Sequence, residues 1–172
     1  VRNLMKNGFE VSIYARTKAK VTDILAEGAL WCDSIAQCAQ GKDAVITIVG
    51  YPKDVEEVYF GQGGILENAS AGCVLIDMTT TSPQLSVKIE QAAKEKGLKA
   101  LDAPVSGGDV GAKNGTLSIM VGGEKETYTQ CLPIFQAMGT NIIYEGKAGA
   151  GQHTKMANQI AIAGCVAGVS EA

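Results

Sequence analysis

Apolar residues along this chain fall into short runs of strand length, separated by longer stretches in which they recur every three or four positions. The runs cover residues 11–14, 44–49, 73–76, 98–101, 117–121 and 141–144, and each reads as a strand. Between most of them lie helical stripes. Val21, Ile24 and Leu25 form one, Val55, Val58 and Tyr59 another. Leu85, Ile89, Ala92 and Ala93 form a third, with Ser82 as N-cap, Pro83 as first helical residue and Gly97 as the stop. Strands alternating with helices predict an α/β fold whose doubly wound, mainly parallel sheet is covered on both faces. Residues 117–121 and 141–144 look hairpin-like and make the weakest case for parallel pairing. The apolar tail at 160–169 predicts a buried helix. It is far shorter than the roughly 20 residues that span a bilayer.

The first eight residues, Val1 to Gly8, resemble the last turns of a helix running into a glycine stop. In a doubly wound sheet such a helix follows a first strand and a tight glycine turn, and no Gly-x-Gly-x-x-Gly occurs downstream in that setting. Periodicity alone fits equally well a fold that simply opens on a helix.

Composition narrows the function classes. With 172 residues and 46% hydrophobic content the chain can bury one sizeable core, in the size range of a single domain. Fifteen basic and 18 acidic residues give a net charge of -3 without long runs of either sign. That pattern argues against nucleic acid or a membrane surface as partner and for a small molecule. Cys32, Cys38, Cys73, Cys131 and Cys165 are odd in number, widely spaced and without a Cys-x-x-Cys pair, so neither a disulfide framework nor a zinc or other metal site is expected. A reducing cytoplasm fits this usage. The first residues show no charged region followed by an apolar stretch, so no secretory signal is expected.

Three segments carry candidate chemistry. After the first visible strand comes Ala15-Arg16-Thr17-Lys18, where a dinucleotide-binding fold meets the adenosine ribose. Cations there suit a 2′-phosphate, Arg16 offering a bidentate fork while Thr17 adds a hydroxyl and caps the next helix. An ordinary solvated loop would read the same way. Ser106, Gly107 and Gly108 follow a strand, and their glycines would let backbone N–H groups approach an anion; most such strings are merely turns. Lys155 and Asn158 are three residues apart on one helix face. A lysine beside Met156, Ala157 and Ile160 is costly to bury without a partner or a task, and desolvation would push its pKa down toward useful proton transfer. The commoner fate of such a lysine is to snorkel into water. His153, the single histidine, points elsewhere and is read as structural.

Taken in order, Asp102-Ala-Pro-Val-Ser-Gly-Gly108, Gly115-Thr-Leu, Met120-Val-Gly-Gly123 and Gly149-Ala-Gly-Gln-His-Thr-Lys-Met-Ala-Asn-Gln159 resemble the β-hydroxyacid dehydrogenase family over essentially the whole chain. That family includes 3-hydroxyisobutyrate dehydrogenases and tartronate semialdehyde reductases, with 6-phosphogluconate dehydrogenase as a larger cousin. The resemblance implies a Rossmann-like dinucleotide-binding domain over residues 1–147, lacking its first strand and glycine turn, and an interdomain helix over 148–172 leading to a missing helical domain. It implies hydride transfer between NADP, with NAD as the second choice, and a small 3-hydroxy acid or semialdehyde. Lys155 matches the catalytic lysine and would be the general acid/base. Ser106, Gly107 and Gly108 match the substrate-carboxylate string, and Asn158 the asparagine that orients substrate. Asp77-Met-Thr-Thr-Thr-Ser-Pro83 places Thr80 near the nicotinamide, and Val49 and Gly50 fall where the family writes Leu-Pro and lines the cofactor cleft. Arg16 and Thr17 match the Asn-Arg-Thr of NADP-using members, with Ala15 replacing asparagine.

The run Lys155-Met-Ala-Asn-Gln159 departs from the Lys-x-x-His-Asn of 6-phosphogluconate dehydrogenase, and therefore favours a small unphosphorylated acid. With both flanking parts of the family's cleft missing, poor NADP binding and little turnover are expected of the polypeptide as written. The uncovered last helix predicts a homo-oligomer. The competing readings are a non-catalytic nucleotide-binding or interaction fragment, a 6-phosphogluconate dehydrogenase-like enzyme, and an unrelated Rossmann-like enzyme such as a methyltransferase.

Overall fold

The computed structural model describes residues 1–172. The elements run α1 (Arg2–Lys6), β1 (Ser12–Ile13), a 3-10 turn (Lys18–Lys20), α2 (Thr22–Ala26), β2 (Leu30–Trp31), α3 (Ile35–Ala39), β3 (Ala44–Thr47), α4 (Pro52–Phe60), α5 (Ile65–Asn68) and β4 (Val74–Asp77). They continue with α6 (Pro83–Glu95), β5 (Lys99–Asp102), β6 (Val105–Ser106), α7 (Gly108–Asn114), β7 (Leu117–Gly123), α8 (Lys125–Gln136), β8 (Gly139–Gly146) and α9 (Ala150–Glu171). The predicted caps of α6 hold. Ser82 Oγ accepts from the Leu85 N–H at 3.1 Å, Pro83 sits in the first turn, and Gly97 follows at φ +69°.

Strands β1 and β2 form a small parallel pair, and the other six form a second sheet. Within the second sheet β3, β4 and β5 run parallel, as do β7 and β8, while β5 and β6 run antiparallel to β7. The hairpin-like expectation for 117–121 and 141–144 is therefore corrected: α8 crosses between β7 and β8, so they pair in parallel. The direction reverses one strand earlier. Segments β5 and β6 share an unbroken register along β7, Leu101 opposite Gly123 and Ser106 opposite Ser118. Pro104 lies between them without an N–H to donate, though its carbonyl still accepts from Met120 N at 3.0 Å. This long strand carries Ser106 past the ends of β3 and β4.

Alternation along the strands fills two cores. Val74, Ile76 and Leu101 face one, with Ile119, Val121 and Phe135. Leu75, Leu98 and Ala100 face the other, with Val55, Tyr59 and Ile89 from α4 and α6. Both faces are covered, as a doubly wound sheet requires. Burying each of these large side chains contributes about 1.5–3 kcal/mol.

The tail at 160–169 is helical but not buried. Ile160 is 73% exposed and Val169 80%, because the body of the chain ends beside the first turns of α9 and offers no surface farther out. No helix is long and apolar enough to cross a membrane.

Candidate active site

Four strand pairings place Thr47, Asp77, Asp102, Gly122 and Gly146 in one row across the sheet. Paired positions of neighbouring strands point to one face, so two aspartates stand side by side on the face that α6 and α9 cover. Asp77 is buried, and its Oδ1 accepts from Thr47 Oγ1 at 2.9 Å and from the Thr79 N–H at 3.1 Å. Its Oδ2 has no protein partner. Burial raises the Asp77 carboxyl above its ordinary value of 3.8, against those hydrogen bonds, and Asp102 nearby adds to the rise. Thr47 Oγ1 also lies 3.0 Å from the buried Tyr59 hydroxyl.

Asp102 holds the start of α9. Its Oδ1 accepts from the Gly149 N–H at 2.7 Å and its Oδ2 from the Gln152 N–H at 3.0 Å, a carboxylate at a helix N-terminus where donors and dipole favour it. Desolvation nevertheless raises its pKa overall. The contact depends on two missing side chains. A Cβ on Gly122 would lie 2.6 Å from Asp102 Oδ1, and one on Gly151 2.9 Å from Oδ2.

From the same helical turn the Gln152 side chain, fully buried, reaches the loop after β4. Its Oε1 accepts from the Thr81 N–H at 2.9 Å and its Nε2 donates to the Thr79 carbonyl at 2.7 Å. Thr79 Oγ1 accepts in turn from the Val49 N–H at 3.0 Å. One network thus joins the loops after β3 and β4 to α9.

Lys155, one turn beyond Gln152, is 7% exposed, and burial alone lowers its pKa. The burial comes from packing of the first turns of α9 against β7, β8, β5 and α6. Its helix neighbours Met156 and Ile160 are themselves exposed, which corrects the expected apolar surroundings. His153 is exposed. Asn158 is half-buried and donates to Gln159 Oε1 at 3.3 Å.

The remaining candidates lie beyond the carboxyl ends of the strands. Val49 and Gly50 follow β3, Thr80 follows β4 and is exposed, and Ser106, Gly107 and Gly108 lead from β6 into α7. Arg16 follows β1 and pairs at 3.5 Å with Asp54, whose Oδ2 accepts from the Tyr51 N–H. Thr17 precedes the 3-10 turn but its hydroxyl caps nothing, because that turn is too short to aim an N–H at it. Lys18 Nζ instead stands 4.9 Å above the ring of Trp31. No hydrogen bond joins Ser106–Gly108 to α9.

Ligands of an open α/β sheet bind outside the carboxyl ends of its strands. Arg16, Val49, Gly50 and Thr80 occupy that edge, and the buried Thr81 Oγ1 is left without a partner beside it, a donor set that fits a dinucleotide. The sequence profile of the NAD binding domain of 6-phosphogluconate dehydrogenase matches residues 1–146. The chain belongs to that family. The uncharacterized oxidoreductase YkwC of Bacillus subtilis is 60% identical over 170 residues, covering 99% of this chain and 59% of that protein. A 3-hydroxyisobutyrate dehydrogenase of Pseudomonas aeruginosa is 39% identical, with 99% of this chain and 57% of that enzyme covered. The 3-hydroxyisobutyrate dehydrogenase of Mycobacterium tuberculosis with L-serine superposes at TM-score 0.88 with 32% identity, over 94% of this chain and 54% of that one. The chain thus spans little more than half the length of these members of the NAD-binding family and its neighbours.

Sequence reasoning named Asp77, Asp102 and Gln152 only inside longer strings and gave none of them a role. Gln152 could have been found as a glutamine at an inward position one turn before the lysine. The two aspartates could have been found as acids closing otherwise apolar strands.

Proposed function

We propose that this chain is the cofactor-binding and lysine-bearing part of an NADP-dependent oxidoreductase that interconverts a small 3-hydroxy acid and its semialdehyde. The carrying observation is Lys155: buried, without an acidic partner, and fixed through its own helix to the loop that holds Thr80. When bound, NADP carries the hydride. Arg16 and Thr17 would hold its 2′-phosphate, and Val49, Gly50 and Thr80 would line the cleft toward the nicotinamide. Ser106, Gly107 and Gly108 would bind the substrate carboxylate and Asn158 would orient the hydroxyl. In reduction Lys155 Nζ delivers a proton to the carbonyl oxygen, and in oxidation it takes one from the hydroxyl. Its lowered pKa makes the ammonium a readier donor near neutral pH.

Lys155→Ala in the full-length protein tests this reading. Turnover of 3-hydroxyisobutyrate with NADP should fall by about 10²–10⁴-fold, the usual range for a lost general acid. NADP should still bind, with a Kd from calorimetric titration close to that of the parent. Retained turnover would exclude Lys155 from the chemistry.

A further inference from the structure

The carboxylate of Asp102 secures the start of α9 along its axis, since both of its bonds go to main-chain N–H groups of the first turn. Packing of the first turns on β7, β8 and α6 limits the roll of the helix about that axis. The Gln152 side chain adds the directed bonds that fix it. It leaves the helix sideways and ends in two hydrogen bonds of opposite sense, accepting at 2.9 Å from Thr81 and donating at 2.7 Å to Thr79. A carboxamide with both ends paired to main chain has one orientation, and with no exposed surface it has no water to exchange for either partner.

We propose that Gln152 is a positioning residue, which ties α9 to the Thr79–Thr81 loop and so sets where Lys155, one turn farther along the same helix, presents its amine. The inference rests on the reading of Lys155 given above. Lys155 lies three residues farther on, which is about 4.5 Å along the axis and roughly 60° around it. A side-chain tip about 6 Å from the axis travels about 2 Å when the helix rolls by roughly 20°. Misplacing a reacting group by about 1 Å can cost on the order of 10²-fold in rate. Losing the two bonds therefore matters at the amine more than at any other point of the site. The cofactor-facing loops keep their own bonds, Thr79 with Asp77 and Val49, and these do not pass through Gln152.

The test compares Gln152→Met, which keeps the length but pairs with neither Thr79 nor Thr81, and Gln152→Asn, which keeps the carboxamide but is one methylene too short to reach both. Both are made in the full-length protein and assayed with 3-hydroxyisobutyrate and NADP. In each variant kcat should fall roughly 10- to 100-fold, well beyond any change in KM for the acid or Kd for NADP, because Arg16, Val49, Gly50 and Ser106–Gly108 make no bond to Gln152. A kcat within about twofold of the parent in either folded variant overturns the proposal. So does a parallel loss of KM, Kd and kcat, which would mark Gln152 as a general support of the fold. If the methionine variant does not fold, the asparagine variant decides; if neither folds, the residue is structural and the proposal fails. Lys155→Ala measured alongside keeps the two readings apart. Turnover surviving there removes the lysine mechanism, whereas an inactive alanine variant beside fully active Gln152 variants removes only the positioning role.

Discussion

Gly151→Ala should destabilise the protein although alanine is the better helix former. Gly151 sits in the first turn of α9, where a Cβ would lie 2.9 Å from Asp102 Oδ2, 3.0 Å from the Asp102 carbonyl and closer still to the Met120 carbonyl. Two of those obstacles are main chain of β5 and β7, which cannot yield locally, so the helix must move outward by something near 1 Å. Such a shift stretches the 2.7 and 3.0 Å bonds from Gly149 and Gln152 to Asp102 past useful range. Two hydrogen bonds to a charged acceptor contribute about 1.5–3 kcal/mol each. The gain in helix propensity returns about 1 kcal/mol. The net loss is then about 2–5 kcal/mol, a substantial part of a typical domain stability of about 5–15 kcal/mol. Urea unfolding of Gly151→Ala beside Gly164→Ala measures it. Gly164 lies in the same helix with open space around its missing Cβ, so that variant should be neutral or slightly stabilised. If both variants unfold at the parental midpoint, the close approach of α9 to Asp102 does not limit residue 151.

Asp77→Asn should change the pH dependence of stability. The folded carboxyl has a pKa above its ordinary 3.8, so its protonation favours the folded state at low pH and that support is lost as pH rises through the folded value. The neutral amide escapes this loss. The stability of the variant relative to the parent should therefore climb as pH rises above about 4, read from urea midpoints; a constant difference would refute the assignment. Arg16→Ala should weaken NADP binding roughly tenfold, in line with one charge-assisted phosphate contact, and leave NAD nearly unchanged. Calorimetric titration with each cofactor measures the ratio, and equal losses for both would place the 2′-phosphate elsewhere.

Much of the sheet was readable from the chain. The runs at 44–49, 73–76 and 98–101 became β3, β4 and β5 because strands buried on both faces leave continuous apolar stretches. The direction of β7 was not readable, since periodicity carries no sign and α8 was hidden. Pro133 interrupts the helical pattern there, and Thr127, Tyr128 and Thr129 favour strand. The helix α7 was lost for a similar reason, its two glycines reading as loop. In the site, Lys155 was legible because an ammonium among apolar residues stands out. Gln152 was not, because an uncharged amide gives no such contrast and its partners, Thr79 and Thr81, are about seventy residues away in sequence and contribute only main chain. Thr17 was misjudged as a cap because residue type announces capping ability, not the direction of the N–H groups that follow.

The length of α9 has a mechanical consequence. Ala150 to Glu171 form an unbroken rod of about 33 Å, clamped at its start by Asp102 and Gln152 and exposed from Gln159 onward. A rod held in this way transmits tilt and torsion without a hinge. Load on Ile160 or Val166, both exposed, therefore arrives at the amine of Lys155 as displacement, and the two clamping side chains set how stiffly that end resists it.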